Sequence, residues 1–268
     1  MVKHMIEKIV EELIKRGYSS EAITVYKNGV KKEGITIGNG NIRPTLYPGN
    51  LEGKSIDNVV NEIIETYENL EIPDIPANIS SWEFAKDRCF LCIRPKTDED
   101  ILKRDFLDLE MYVRVRAFAM GSYIVKPGVF ADVSEEEIFD RALVNTRKEE
   151  SVEDLFKVLH QMGSYKKNDI EEIPTYLRQL VISNSEKSYG AAAICDKELL
   201  MKIAKEYDRN IVILPSSVHE CILILENTPN MEELSNMVKE INYDIVDKED
   251  LLSDHAYFFN RETNEITW

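Results

Sequence analysis

The sequence predicts an α+β protein in which two related αβ subdomains with mostly antiparallel sheets are joined by an irregular helical middle segment. Three observations indicate this fold class. Amphipathic helix patterns flank short strands at both ends of the chain, Asn-Gly turns connect neighbouring strands, and strands occur in clusters. At 268 residues and 43% hydrophobic content the chain can bury a substantial core. The predicted domains cover residues 1–72, 77–172 and 173–268.

Residues 1–72 have the pattern of an α-β-β-β-α unit. The first helix keeps apolar residues at i, i+3 and i+4 spacing, and Gly17 ends it. Three short strands and a second helix follow, at residues 23–27, 34–38, 43–47 and 56–70. The Asn28-Gly29 pair favours the positive φ that a tight hairpin turn requires. On the third strand, Arg43 and Tyr47 are candidates for ligand or partner binding, and a solvated edge charge is the alternative interpretation of Arg43.

The middle segment begins after a proline-containing break. Pro73 and Pro76 end the second helix and mark a linker, because proline lacks the backbone donor that a helix needs. Beyond this linker, strands are predicted at residues 89–94, 108–118 and 122–126. Ser134 opens a helix through a capping box with Glu137. A further helix is predicted over residues 152–162, followed by a polar loop at residues 163–172.

The C-terminal segment has a second αβ pattern. Its strands are predicted at residues 180–184, 190–194, 211–214 and 219–225. Asp196 caps a helix between these strands, and Thr228-Pro229 starts another helix after them. A hairpin within residues 255–268 ends the pattern. The apolar positions of the last helix, which are expected to face inward, are Leu234, Met237, Val238 and Ile241.

The charge balance limits the class of partner. With 49 acidic and 33 basic residues the formal net charge is -16, and long-range repulsion disfavours nucleic acid phosphate and anionic lipid. We therefore expect a protein partner, for example one with a basic surface, while a small-molecule ligand stays open. The apolar runs are far shorter than a membrane helix, and the N-terminus lacks the apolar segment of a signal peptide. The sequence thus predicts a cytoplasmic protein without membrane contact.

The four cysteines are interpreted as core residues of a protein in a reducing compartment. Cys89 and Cys92 form a CxxC, but they fall in a predicted strand, where residues i and i+3 point to opposite faces. Two such thiols do not easily share a metal ion or a disulfide. Because the sequence also contains no cofactor fingerprint, neither a metal nor a cofactor is expected.

Two polar patches near the C-terminus hold the main candidate site residues. They are Ser216, Ser217, His219 and Glu220 in the first patch, and Asp254, His255 and Tyr257 in the second. A serine nucleophile needs a histidine base and an orienting carboxylate. Ser217, His219 and Glu220 supply these residue types, and Asp254 and His255 of the second patch would have to complete a triad. On a strand, however, His219 and Cys221 would share one face with Ser217 while Glu220 points away, and the sequence has no Gly-x-Ser-x-Gly elbow.

Three other interpretations of these patches stay open. His219 and Cys221, with His255 alongside, have ligand types that zinc accepts, although their spacing matches no recognised zinc signature. A structural interpretation has the serines closing a turn and the histidines bonded to neighbouring carbonyls or carboxylates. A binding interpretation makes both patches contacts for a ligand or a partner. We predict that the two imidazoles lie close together, because their segments are adjoining parts of one sheet.

Several short motifs carry a family resemblance. They are Leu214–Glu220, Leu252–His255 with the aromatic run Tyr257–Phe259, Gly190–Ala193, Gly34–Ile37 and Pro44–Tyr47. In these motifs the chain resembles an uncharacterised family of anaerobic Gram-positive bacteria, known only as a domain of unknown function. Members of that family are often encoded on integrative mobile elements, which implies a role in element maintenance or in handling host defences. The order of elements is also similar to a second uncharacterised family, from bacilli.

Together these observations predict a non-enzymatic binding or regulatory accessory protein of a mobile element, with a protein partner favoured over a small ligand. An inhibitor of a host nucleic-acid-processing system is one form of this role, with the negative charge facing a basic groove. The alternative is a hydrolase that uses His219 and His255. Geometry separates the two, because catalysis needs both histidines in a cleft, whereas a binding protein needs a broad exposed patch.

Overall fold

A computed structural model of the chain describes residues 2–39, 43–49, 51, 53–71, 76–118, 121–161, 163 and 179–268. The described residues form a mixed α+β fold with three antiparallel sheets, which confirms the predicted fold class. The chain divides into two compact units, residues 1–77 and 78–268. The division falls after Ala77, next to the end of the linker that the sequence predicts.

The smaller unit has the α-β-β-β-α order that the sequence predicts. Its elements are α1 (Val2–Lys15), β1 (Ser20–Lys27), β2 (Val30–Ile37), β3 (Thr45–Leu46) and α2 (Ile56–Glu68). Both β1 and β3 pair antiparallel with the central strand β2. Asn28 and Gly29 have φ values of 50° and 75°, as the tight β1–β2 turn requires. Apolar residues of both helices and of β2, among them Ile9, Ile35 and Val60, form the core of this unit.

The larger unit contains two sheets and the helices that pack on them. Its elements are α3 (Trp82–Ala85), β4 (Cys89–Pro95), β5 (Lys103–Phe106), β6 (Leu109–Phe118), β7 (Gly121–Ile124), α4 (Glu135–Glu149), β8 (Glu150–Asp154), α5 (Leu155–Gln161), β9 (Gln179–Asn184), a 3-10 helix (Gly190–Cys195), α6 (Lys197–Tyr207), β10 (Ile211–Ser217), β11 (Glu220–Leu225), α7 (Met231–Ile245), β12 (Tyr257–Asn260) and β13 (Glu265–Thr267). One sheet has the order β4-β6-β5, with β7 also beside β6. The other has the order β13-β12-β10-β11-β9-β8.

The two sheets of the larger unit share one apolar core. It includes Leu91 of β4, Phe139 of α4, Leu200 of α6 and Ile213 of β10. Residues 78–268 therefore form one unit, where the sequence predicts a middle segment and a separate C-terminal unit. The antiparallel pairing of β8 with β9 crosses that predicted boundary. A pattern of apolar positions identifies strands but does not show which sheet each strand joins.

Two predicted elements differ in type from those observed. Residues 190–194, predicted as a strand, lie in the 3-10 helix. Of residues 152–162, predicted as a helix, 152–154 lie in strand β8 and 155–161 form α5, while residue 162 is outside the described residues. Residues 190–194 are a short apolar run, which periodicity alone does not assign to helix or strand. The predicted loop at residues 163–172 lies, apart from Gly163, outside the described residues.

The six-stranded sheet buries side chains on both faces. Along β10, Ile211 and Ile213 point into the main core, whereas Val212 and Leu214 point to the opposite face and pack with Val238 of α7. This alternation is expected of a strand. Helix α7 therefore lies on that second face.

The buried cysteines behave as core residues. Cys89 belongs to the main core, while Cys92 packs in a separate cluster with Phe90 and Tyr112. Burial raises the pKa of Cys89 to about 11 and that of Cys92 to about 12, so both thiols are protonated at neutral pH. Within the described part of the chain, no group of three or more His, Cys, Asp and Glu side chains could hold a metal ion. In the same residues, no helix is both long and apolar enough to cross a membrane.

Candidate functional site

His219 lies in the turn that connects β10 to β11. The Ser217 hydroxyl oxygen accepts a hydrogen bond from the His219 backbone N–H at 3.1 Å, which closes the turn locally. The pairing register of the two strands shifts between Pro215 and Ser217. The prediction that His219 continues the strand face of Ser217 and Cys221 is therefore wrong, because the chain reverses direction at His219.

Both ring nitrogens of His219 have partners. The backbone N–H of Tyr189 donates to Nδ1 at 3.1 Å, so Nδ1 carries no proton and the neutral imidazole is protonated at Nε2. Nε2 lies 3.3 Å from Asp250 Oδ1, and the Val218 backbone N–H donates to the Asp250 carbonyl at 2.8 Å. The imidazole thus bridges the start of the 3-10 helix and the segment before β12. These contacts support the structural interpretation of His219.

Gly190 explains one of the short motifs that the sequence contains. The His219 carbonyl oxygen accepts a hydrogen bond from the Ser183 hydroxyl at 2.8 Å, and Gly190 lies directly against this pair. A Cβ at residue 190 would be 2.3 Å from Ser183 Oγ, 2.5 Å from the Asn184 nitrogen and 2.8 Å from the His219 oxygen. Only glycine leaves room for this close approach.

His255 belongs to a second network, next to the turn between β5 and β6. Its Nδ1 lies 3.3 Å from Ser253 Oγ, and its Nε2 lies 3.6 Å from Asp108 Oδ2. The Tyr257 hydroxyl donates to Asp108 Oδ1 at 2.8 Å, and the rings of His255 and Tyr257 are 4.8 Å apart. Burial, together with the neighbouring Asp108 carboxylate, raises the pKa of Tyr257.

Ser253, His255 and Asp108 have the residue types of a nucleophilic triad. Their arrangement, however, is that of a network of contacts inside the protein. Ser253 is buried, and its oxygen already faces the backbone N–H of His255 at 3.4 Å. The carboxylate oxygen that a triad would use is 3.6 Å from Nε2, which is too long for a hydrogen bond. His219 and His255 also contact different carboxylates, Asp250 and Asp108. A shared site of the two imidazoles stays a prediction.

The remaining candidates of the two patches have separate positions. Asp254 Oδ1 accepts a hydrogen bond from the Asn242 side chain at 2.9 Å, and the same amide donates to the Ser253 carbonyl at 2.8 Å. Asn242 is buried on α7, so Asp254 anchors the segment before β12 to that helix. Ser216 and Glu220 lie half-buried on either side of the His219 turn.

In the smaller unit, the candidates Arg43 and Tyr47 have ordinary surface contacts. Arg43 forms an exposed ion pair with Glu21 at 3.3 Å, in line with a solvated edge charge. The ammonium nitrogens of Lys27 and Lys32 lie 4.8 and 5.6 Å from the centre of the Tyr47 ring. Tyr47 also borders a cavity of about 170 Å³ between β3 and α2.

Helix α7 presents a surface that the sequence did not predict. Met237, Ile241 and Ile245, which we call the α7 apolar row, are 37%, 45% and 77% exposed. Their i, i+4, i+8 spacing places them along one side of the helix. The buried residues of α7 are Val238 and Asn242, which lie three positions before Ile241 and Ile245, so the apolar row borders the buried stripe. The expectation that Met237 and Ile241 face the core is therefore wrong.

A row of carboxylates borders the α7 apolar row. Glu233, Glu240 and Asp244, which we call the α7 acidic row, are all exposed. They lie three or four positions from the apolar residues, so the two rows are neighbours on the helix surface. An open depression of about 640 Å³ is lined by Glu233, Met237 and Glu240.

A buried carboxyl group lies close to the Gly190 contact. Glu150 begins β8, borders a small cavity with Ser183 and Gly190, and its Oε1 is buried without a hydrogen-bond partner among the described residues. Burial, reinforced by nearby Asp196 and opposed by Arg147, raises the pKa of Glu150 to about 7.

We expect Glu150→Gln to remove a pH dependence of stability. A carboxyl whose pKa rises from 4.5 to about 7 on folding contributes stability that is complete below the unfolded value and is lost as the pH rises through 7. Between about pH 4.5 and about pH 8 the wild-type protein should therefore lose about 1–2 kcal/mol of stability relative to Glu150→Gln, a figure reduced for partial exposure. Urea unfolding at both pH values measures this difference. The control is Glu153→Gln, because Glu153 lies on the same strand as Glu150 and forms an ion pair with Lys187. The prediction would be contradicted if the stability of the wild type and of Glu150→Gln had the same pH dependence.

Comparison with known proteins identifies a family. A model of the DUF5688 family, described as a family of unknown function, matches residues 2–261. No curated protein and no solved structure matches the chain. The match covers both polar patches and α7, and it assigns no activity to any of them.

Proposed function

The chain belongs to the DUF5688 family of unknown function, and we propose that it is a non-enzymatic protein-binding protein whose contact surface is the α7 apolar row. One observation carries this proposal: Met237, Ile241 and Ile245 are all exposed, although they border the stripe of α7 that is buried against the sheet. Apolar residues scattered singly on a surface need no explanation, but a contiguous row on one side of a helix is typical of a protein contact.

The two histidine networks support a non-enzymatic role. A general base needs a free ring nitrogen within reach of a substrate proton. Both nitrogens of His219 contact protein groups. The Nε2 of His255 has no hydrogen-bond partner among the described residues, but this atom and the neighbouring Ser253 are buried, away from a substrate. These side chains therefore hold the turn and the β12 segment in place, on the same sheet that carries α7.

The biological setting of this binding role is the second part of the proposal. The motifs of the chain resemble a family that mobile elements often encode, so we place the protein among the accessory proteins of such an element, acting on element maintenance or host defence in the cytoplasm. The net charge of -16 favours a partner with a basic surface. An inhibitor of a nucleic-acid-processing protein has this property.

Photo-crosslinking in cells tests the proposal. A photoreactive amino acid at position 245 should give a discrete covalent adduct with one protein, because this side chain extends from the contact surface. The same amino acid at position 144 is the control, since Val144 is a comparably exposed apolar residue of α4, at 43%. Met237→Ser should remove the adduct formed from position 245.

Two outcomes would contradict the proposed function. The first is the absence of an adduct from position 245, or an equal adduct from position 144. The second is turnover of a model ester or phosphoester by the purified protein that is lost in His219→Ala or His255→Ala. That result would favour the hydrolase alternative.

A further inference from the structure

The charges around the α7 apolar row restrict the chemistry of its partner. Residues 231–254 contain eight acidic and two basic residues. Neither Glu240 nor Asp244 forms an ion pair with any residue that the structure describes. Lys239 lies two positions from both Met237 and Ile241 in the sequence. Two positions correspond to a rotation of about 200° around the helix axis, so this lysine lies on the side of α7 opposite the apolar row. The apolar row is thus bordered by carboxylates without a neutralising cation of its own helix.

The dimensions of the surface fit a helix. Eight residues separate Met237 from Ile245, which corresponds to about 12 Å along the axis of α7. A second helix that lies along α7 would present apolar side chains at i, i+3 or i+4, and i+7 over the same length. Its neighbouring positions would then face the α7 acidic row.

We infer that the partner segment is a basic amphipathic helix. This inference rests on the proposed function and names the partner of the same surface. Leucine-like side chains of the segment cover Met237, Ile241 and Ile245, while its lysine or arginine side chains pair with Glu240 and Asp244. The apolar contact supplies most of the affinity, and the charge pairs supply orientation and association rate.

A second copy of this chain is a poorer occupant of the surface. Two copies that dock through α7 would bring their acidic rows together, and like charges that face each other across an interface oppose association. The same repulsion, together with the net charge of -16, disfavours an acidic peptide.

A synthetic peptide of about 15 residues tests the inference, a length at which an isolated helix is only marginally stable and forms fully on binding. It carries leucines at i, i+4, i+7 and i+11 and lysines at the adjacent positions, with a fluorescent label for anisotropy. One control peptide has glutamate in place of every lysine, and another has the same composition in scrambled order. The full-length protein should bind the basic amphipathic peptide and neither control.

Protein variants separate apolar contact from general attraction to an acidic protein. We expect Ile241→Ser to weaken peptide binding by about tenfold. The double variant Glu240→Lys/Asp244→Lys should also weaken it by about tenfold at low salt, and by less at high salt, where the charges are screened. The matched controls are Val144→Ser on α4 and Glu206→Lys on α6, both at exposed positions away from α7. Each control should change the dissociation constant by less than about twofold.

The outcomes distinguish this inference from the proposed function. Equal weakening by Glu206→Lys, or equal binding of the scrambled peptide, would overturn the inference and show non-specific charge attraction. Loss of peptide binding altogether, with the crosslinked adduct at position 245 retained, would also overturn it and leave the proposed function standing. A concentration-dependent dimer in sedimentation, abolished by Ile241→Ser, would identify the surface as a self-interface and overturn the basic partner.

Discussion

Arg94→Ala is expected to destabilise the larger unit by about 3–5 kcal/mol, because it leaves a buried carboxylate without its main partner. The Arg94 side chain is 2% exposed, and its Nε donates to Glu110 at 2.7 Å. It also donates to Thr97 Oγ1 at 2.8 Å and lies 4.8 Å over the ring of Tyr112. After the substitution, Lys103 at 3.1 Å would be the remaining cation beside Glu110. Urea unfolding followed by circular dichroism measures the change.

Two variants test whether the buried pair causes this loss. Lys96→Ala breaks the exposed Lys96–Asp105 pair of the same sheet and should cost less than about 1 kcal/mol. Arg94→Met/Glu110→Leu removes both charges and should recover part of the stability lost in Arg94→Ala. An Arg94→Ala protein as stable as Lys96→Ala would contradict the prediction.

The same network has a definite pH dependence. Burial alone would raise the pKa of Glu110, but hydrogen bonds from the Thr97 N–H, Arg94 and Lys103 outweigh it and hold the pKa below its usual value of 4.5. The stability that this carboxylate contributes is therefore present above pH 4.5 and is lost as the pH falls below it. In Arg94→Ala this acid-side loss should shrink.

The sequence predicts the regular elements of this fold well, for physical reasons that particular residues illustrate. Ser134 is followed by Glu137, and the structure has the Ser134 hydroxyl accepting from the Glu137 N–H at 3.1 Å. Asp196 caps α6 in the same way, through the Glu198 N–H. Such signals are local, since a cap or an Asn-Gly turn depends on a few consecutive residues.

The candidate site is harder to predict because it depends on contacts distant in sequence. The sequence pattern predicts a strand at His219, whereas the partners of its ring, Tyr189 and Asp250, lie about 30 positions away in either direction. Asp108, which contacts both His255 and Tyr257, was not a candidate at all. No local pattern connects such residues, so only the assembled sheet reveals the two networks.

The exposed row on α7 was missed for a different reason. The apolar positions of α7 cover more of the helix than one buried stripe, and a periodic pattern does not say which part faces the sheet. In the structure the buried stripe includes Asn242, a polar residue satisfied by the Ser253 carbonyl and the Asp254 carboxylate. On this helix a polar asparagine is buried and an apolar isoleucine is exposed, which is the reverse of the usual distribution. The width of the apolar pattern was the signal that could have indicated a second contact surface.

Gly190→Ala is expected to destabilise the larger unit by about 3 kcal/mol, at the upper end of what overpacking usually costs. The added methyl group would lie within 3 Å of Ser183 Oγ and of two backbone atoms, the Asn184 nitrogen and the His219 oxygen. Side chains can move away from such a contact, but these backbone atoms belong to β9 and to the β10–β11 turn. The substitution should therefore also loosen the hydrogen bond from the Tyr189 N–H to His219 Nδ1. Urea unfolding and the imidazole signals of His219 in an NMR spectrum measure the two effects.

A matched glycine and a double variant separate crowding from the loss of glycine itself. Gly49→Ala adds the same methyl group where no atom lies within 4 Å, so its effect on stability should stay below about 0.5 kcal/mol. Gly190→Ala/Ser183→Ala removes only one of the three close contacts and also the hydrogen bond to the His219 carbonyl, so it should recover little stability. Full recovery in the double variant would assign the crowding to the Ser183 hydroxyl alone and contradict the role given to the backbone atoms. Because the His219 turn and α7 are attached to the same strand, β10, a Gly190→Ala protein that unfolds early should also lose the contact surface on α7.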